Sequence, residues 1–147
     1  MAIDAEIRPA CADDVGELAR LLTPLGYPLA AADVRAVWSA FEAEGNSALV
    51  VPRGERLVGL ITLHRMTALH RPRPVGRITS LFVDPDARGQ GLGRQLVRAA
   101  ERTLAEAGCG LIEVTSHRRR DDAHRFYEHL GYSETSLRFA RELNPQG

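Results

Sequence analysis

Residues 88–96 read Arg-Gly-Gln-Gly-Leu-Gly-Arg-Gln-Leu, with glycine at 89, 91 and 93. Backbone stripped of side chains this densely lets a ligand approach closely and permits positive φ angles. Leu92, Leu96 and Val97 follow at helical spacing, so the glycines open a helix. The first amides of a helix lack an intrahelical acceptor, point outward and carry the positive end of the macrodipole. These features describe an anion cradle, with Arg88 and Arg94 adding charge. From the glycines alone, a plain glycine-rich turn ahead of a helix reads the same way.

Two familiar phosphate loops do not fit. A Walker loop begun at Gly89 needs glycine at position 94, and a dinucleotide fingerprint through Gly89 and Gly91 needs its third glycine there too. That position is Arg94. What remains is R-x-x-G-x-G over Arg88, Gly89, Gln90, Gly91, Leu92 and Gly93, placed between a strand ending Leu81-Phe82-Val83 and the helix.

The elements that must position this loop follow from periodicity. Ala5–Pro9 suits a short strand, and Ala12–Leu22 a helix burying Val15, Leu18, Ala19 and Leu22, with Asp13 and Asp14 at its positive end. Asp33–Glu44 reads as a second helix burying Val34, Val37, Trp38 and Phe41. The period then becomes extended: 48–51 and 56–65 form a hairpin around Pro-Arg-Gly-Glu. Residues 68–74, with two prolines, are a loop. Residues 75–83 form a strand closed by Asp84-Pro85, and Gly91–Ala107 a helix stopped by Gly108. A short buried strand at 111–115, a helix at Ala123–Leu130 and an extended stretch at Tyr132–Leu143 complete the order β-α-α-β-β-β-α-β-α-β. That is an α/β fold with one mixed sheet, in a single domain over residues 1–147.

Composition narrows the function. A chain of 147 residues buries roughly 70% of its unfolded surface, enough for a real core. Its 19 basic and 19 acidic residues cancel, which argues against a general nucleic-acid or membrane-surface binder. No apolar run reaches the roughly 18 residues of a membrane span, and the first residues lack an apolar signal core. Cys11 and Cys109 belong to no metal-binding cluster, which suits reduced thiols in a cytoplasmic protein and no metal.

Leu81-Phe82-Val83-Asp84-Pro85-Asp86-Ala87-Arg88-Gly89-Gln90-Gly91-Leu92-Gly93-Arg94 and, further on, Ala123-His124-Arg125-Phe126-Tyr127-Glu128-His129-Leu130-Gly131-Tyr132 together resemble the GNAT superfamily of N-acetyltransferases. The opening Ile7-Arg8-Pro9 and the helix after it resemble the superfamily's usual start, so the likeness runs the length of the chain. The resemblance implies that strand 75–83 splays from strand 111–115 into a V-shaped cleft. Pantetheine of acetyl-CoA would lie there against the backbone of Leu81, Phe82 and Val83, with its diphosphate on residues 88–94. It also implies a donor for the oxyanion, Phe82 or a neighbour, and Tyr127 as the acid that protonates the leaving thiolate.

The reaction sets its own demand. An amine of pKa ~10.4 is neutral in about one molecule in 2,500 at pH 7, a deficit of roughly 4.6 kcal/mol. A proton acceptor is therefore needed, directly or through water. Many relatives carry a glutamate on the strand equivalent to 77–80, where this chain has Arg77-Ile78-Thr79-Ser80. Glu113 resembles a glutamate that some relatives use, and equally suits a solvent-facing or ion-paired strand residue; His117 and His124 are further candidates, or ordinary exposed histidines. Arg120 stands where relatives often place asparagine, and the run 117–122 lies beside the implied cleft. The acceptor, a primary amine of a small molecule or peptide, would be held by residues 22–45, the hairpin loops and the C-terminal stretch. Asp33, Glu42 and Glu44 there suit a cationic amine or a plain charged helix face. A homodimer is the assembly the resemblance allows. Two other readings are a non-catalytic acyl-CoA-binding sensor and a nucleotide-binding interaction domain.

Overall fold

The computed structural model describes residues 4–26, 28–115 and 121–144. They fall into two units, Met1–Val114 and Thr115–Gly147. The first carries a five-stranded mixed sheet: β1 (Arg8–Pro9), β2 (Asn46–Arg53), β3 (Arg56–Met66), β4 (Val75–Val83) and β5 (Leu111–Val114). They lie side by side in chain order, antiparallel from β1 to β4, with β5 parallel to β4. The helices are α1 (Val15–Leu22), α2 (Ala31–Ala43) and α3 (Leu92–Glu106).

The two faces of the sheet are covered for different reasons. On one, Val15, Leu18, Ala19 and Leu21 of α1 pack with Val50, Leu57 and Leu60, where sequence periodicity had favoured Leu22 over Leu21. On the other, α3 buries Leu92, Leu96, Val97, Ala100 and Leu104. It lies so close that a Cβ on Gly76 would stand 2.5 Å from Leu104 Cδ1, and one on Gly59 3.1 Å from Leu96 Cδ1. Glycine at both positions is what lets the helix seat.

Three expectations are corrected. Val37 is 58% exposed, because α2 presents only the narrow i, i+4, i+7 row of Val34, Trp38 and Phe41 to its neighbours. The strand at 111–114 is not buried: Leu111 is 41% exposed and the rest are half-buried, since β5 has a partner only in β4 among the described residues. No strand forms over 132–144, where Leu137, Phe139 and Leu143 stay exposed and so gain no burial from which a ladder could draw stability. The second unit's described element is α4 (Asp121–His129), followed by Gly131 at φ +96°. Among the described residues no helix is long and apolar enough to cross a membrane.

The start of the fold is tied by charge. Arg8 donates Nη1–H and Nη2–H to the two oxygens of Asp14, at 2.8 and 2.9 Å, and Cys11 N–H adds a bond of 2.9 Å. The guanidinium, aided by the Cys11 amide and opposed by burial, holds the Asp14 carboxyl down from 3.8 to about 2. A depressed carboxyl stabilises the fold fully above its unfolded pKa, and that stability is lost as pH falls through the folded value. Asp14→Asn should therefore cost up to about 2 kcal/mol in urea denaturation at pH 7. The gap to the parent should close between pH 4 and pH 2; a gap constant across that range would show that the ion pair contributes nothing.

Candidate active site

Strand β4 has two neighbours along only part of its length. Val75–Ile78 pair with Leu111–Val114, and among the described residues β5 goes no further. Beyond Ile78, β4 continues to Val83 with β3 as its strand partner among the described residues. The register slips between Thr62 and Leu63, leaving Thr79 as the extra residue of a bulge. A bulge bends its strand and sharpens the local twist, here at the point where β5 is left behind. The resemblance implied a splay of these two strands; the described residues show their pairing end at Ile78 and Val114.

The register settles which backbone groups face the bare edge. Asp84 N–H donates to the Val58 carbonyl at 2.8 Å, continuing the β3–β4 ladder beyond Val83↔Gly59. Bonded and non-bonded positions alternate in an antiparallel ladder. Phe82 opposite Leu60 is thus a bonded position, with its N–H and C=O turned into the sheet. Leu81 and Val83 turn theirs outward. Consistent with this, the Val83 carbonyl accepts a 3.0 Å bond from Arg88 Nε–H. Of the three residues singled out in the sequence, Leu81 and Val83 turn their backbone groups away from β3, and Phe82 turns its own toward it. The Phe82 ring instead lies 5.7 Å from the Arg88 guanidinium carbon.

The glycine loop follows directly. Asp84-Pro85 leads into a single 3₁₀ turn, Pro85–Ala87, whose Ala87 is fully buried. Gly89 and Gly91 then take φ +78° and +79°, the left-handed region that side chains resist. Gly91 caps α3, and the first bond of that helix runs from Gln95 N–H to the Gly91 carbonyl at 3.1 Å. The amides of Leu92, Gly93 and Arg94 precede it and have no helical acceptor. Arg88 and Arg94 are exposed, and Gln90 Oε1 accepts from Arg53 Nη2–H at 2.9 Å. A run of amides without helical acceptors at a helix N-terminus, flanked by two exposed arginines, suits an anion.

A polar patch occupies the sheet face opposite α3. Gly76 faces Leu104, so Arg77 points to the α1 side, as does its parallel partner Glu113. Arg77 donates Nε–H and Nη2–H to Glu113 Oε1, at 3.0 and 2.6 Å. Thr62 bonds Thr79 at 2.7 Å and also Ser80. The sequence allowed Glu113 an ion pair but did not name Arg77 as its partner; the signal is the opposite charge at 77, which becomes meaningful only once the register is known.

Other singled-out residues fall elsewhere. Asp33 Oδ2 accepts from Ala30 N–H at 2.8 Å and caps α2. Tyr127 lies on α4 in the second unit, its ring edge-on to Phe126 and Tyr132 at 5.1 and 5.6 Å, with His124 on the same helix. His117 and Arg118–Arg120 lie outside the described residues. Among the described residues no cluster could hold a metal ion.

A mixed sheet that opens along one strand beside a glycine-capped helix defines an acetyltransferase-type α/β fold. Known structures agree. A Trypanosoma brucei acetyltransferase is 26% identical, with a TM-score of 0.85 over 95% of this chain and 100% of that one. A Bacillus halodurans C-125 protein described as a transcriptional regulator is 29% identical, with a TM-score of 0.84 over 95% and 100%. The chain belongs to the acetyltransferase (GNAT) family, whose family model matches residues 13–132. A Salmonella typhimurium protein named aminoalkylphosphonate N-acetyltransferase is 41% identical over 62% of this chain. A mycothiol acetyltransferase of Nocardiopsis dassonvillei is 36% identical over 46% of it. These matches span 59% and 21% of the two relatives' own lengths.

Gly91→Glu tests the cradle. The carboxylate would sit among the free amides and repel a diphosphate, and the left-handed backbone would add about 1–2 kcal/mol of strain. Circular dichroism should show a folded protein with a lowered melting temperature, and calorimetry should show no acetyl-CoA binding. Unchanged affinity in the folded variant would place the cradle elsewhere.

Proposed function

We propose that the protein transfers an acetyl group from acetyl-CoA to a primary amine of a small molecule or peptide. The observation that carries this reading is the outer edge of β4, without a strand partner beyond Ile78 among the described residues, ending at a glycine-led helix N-terminus. Pantetheine would add to the edge at Leu81 and Val83 like a further strand, and the diphosphate would rest on residues 88–94. The family match runs from residue 13 to residue 132, across both units, which supports treating them as one acetyltransferase domain.

In this reading the amine nitrogen attacks the thioester carbonyl, and the oxyanion that forms is met by an outward amide of β4, a preorganised donor. The C–S bond then breaks and the thiolate takes a proton from Tyr127, since a phenol is a proton donor. The amine's own proton passes to Glu113, directly or through water. Arg77 fixes Glu113 through Oε1; Oε2 takes no bond among the described residues and is the oxygen that would accept it.

The acceptor can be narrowed. Arg77 Nη1 takes no bond among the described residues, and it shares its face with the Thr62, Thr79 and Ser80 hydroxyls. The Salmonella relative's name places an anionic group on the same molecule as the amine. An amine carrying a phosphonate or carboxylate suits this patch. The test is thiol release from acetyl-CoA with 2-aminoethylphosphonate, β-alanine and propylamine. Amine-dependent release is expected, with a higher kcat/KM for the two anionic amines. Acetyl-CoA binding without release from any amine would favour the non-catalytic sensor.

Tyr127→Phe removes one oxygen and keeps the ring. Turnover should fall roughly 10- to 10³-fold with little change in acetyl-CoA affinity, because a proton delivered to the thiolate acts in the transition state. Unaltered kinetics on a good acceptor would remove Tyr127 from the mechanism.

A further inference from the structure

A buried-edge network joins α1 to the end of β4. Arg20 donates Nε–H and Nη2–H to the two oxygens of Glu17, at 2.9 and 3.0 Å. It donates Nη2–H also to the Leu57 carbonyl at 2.8 Å, and Nη1–H to Asp84 Oδ2 at 3.2 Å. Glu17 Oε1 in turn accepts from Leu57 N–H at 2.9 Å. Asp84 is only 15% exposed at its side chain, and its own N–H closes the β3–β4 ladder on Val58. One guanidinium therefore grips a helix, the start of β3 and the residue that follows β4.

Asp84 stands at the joint between two halves of the site. The residue before it is Val83, on the outward edge; the 3₁₀ turn after it, Pro85–Ala87, leads directly to Arg88 and Gly89. Asp84 also fixes that turn, since its carbonyl accepts from Ala87 N–H at 2.8 Å. A small rotation at Asp84 would leave edge and cradle each intact while turning one out of line with the other.

We propose that Arg20 is a positioning residue: by holding Asp84 it aligns the β4 edge with the glycine cradle, so that a single extended ligand, an acyl-CoA, can engage both. The proposal rests on the acyl-CoA reading above. Its energetic basis is that two tethered contacts reinforce each other only when geometry lets them form together. The carboxyl of Glu17 is held below the usual range, chiefly by Arg20, which keeps that side of the network charged at neutral pH.

The experiment compares a ligand that needs both halves with one that needs only the cradle. Kd is measured by calorimetry or NMR titration for CoA and for ADP, in the parent and in Arg20→Gln. CoA affinity should fall about tenfold while ADP affinity stays within twofold. Arg20→Lys, which retains a cation able to reach Asp84, should recover part of the loss. Asp84→Asn, which keeps size and an acceptor oxygen, should show the same sign with a smaller effect and serves if Arg20→Gln does not fold. A variant that loses ADP and CoA affinity alike, or neither, would overturn the proposal, because simple destabilisation does not separate the two ligands. Failure of the parent to bind CoA would instead sink the acyl-CoA reading on which it rests.

Discussion

The structure depends on one interruption: β5 pairs with β4 for four residues and then stops. Backbone N–H and C=O groups seek partners, and a sheet edge that lacks a neighbouring strand must be hydrated, covered or used. Here the Arg88 side chain takes the last outward carbonyl, at Val83, and the outward groups of Leu81 face the gap. The bulge at Thr79 lies just past the last β4–β5 pair, and the α3 helix, seated through Gly59 and Gly76, brings its N-terminal amides to the end of the same strand. Strand edge, turn and helix N-terminus are thus consecutive in the chain. Their alignment is a local matter, and Arg20 anchors it from outside.

The end of the β4–β5 pairing also divides the polar patch along the sheet. Below it, Arg77 and Glu113 are cross-strand neighbours that satisfy one another; beside it, three hydroxyls bond among themselves. Both groups are partly exposed, so their interactions are weak compared with buried ones and open readily to a ligand. A patch of this kind tolerates a polar acceptor without demanding a rigid shape.

Much of this was legible from residues alone, for identifiable reasons. Strand 75–83 was delimited correctly because Pro74 and Asp84-Pro85 bound it on both sides. The helix after the loop was placed within a residue, since Gly91 and Gly108 both sit in left-handed backbone that punctuates sequence strongly. The orientation of Phe82 was not legible, because side-chain and amide direction follow from pairing parity, and parity needs the register. For the same reason Arg77 and Glu113, 36 residues apart, showed no sign of meeting. The Arg20 network escaped notice because each member, taken singly, looks like an ordinary charged residue on a helix or at a turn. The extended stretch at 132–143 was misread because alternating Leu137 and Phe139 satisfy strand periodicity without any ladder to join.

The central claim, that the outward amides of β4 are the acyl-CoA contact, is tested most directly by hydrogen exchange at single residues. In the free protein, the amides of Leu81 and Val83 should exchange fast and that of Phe82 slowly, as its place in the β3 ladder requires. Saturating CoA should slow Leu81 and Val83 and leave Phe82 as it was. Exchange at Leu81 and Val83 that saturating CoA does not change, or a Phe82 amide as fast as its neighbours in the free protein, would contradict the account.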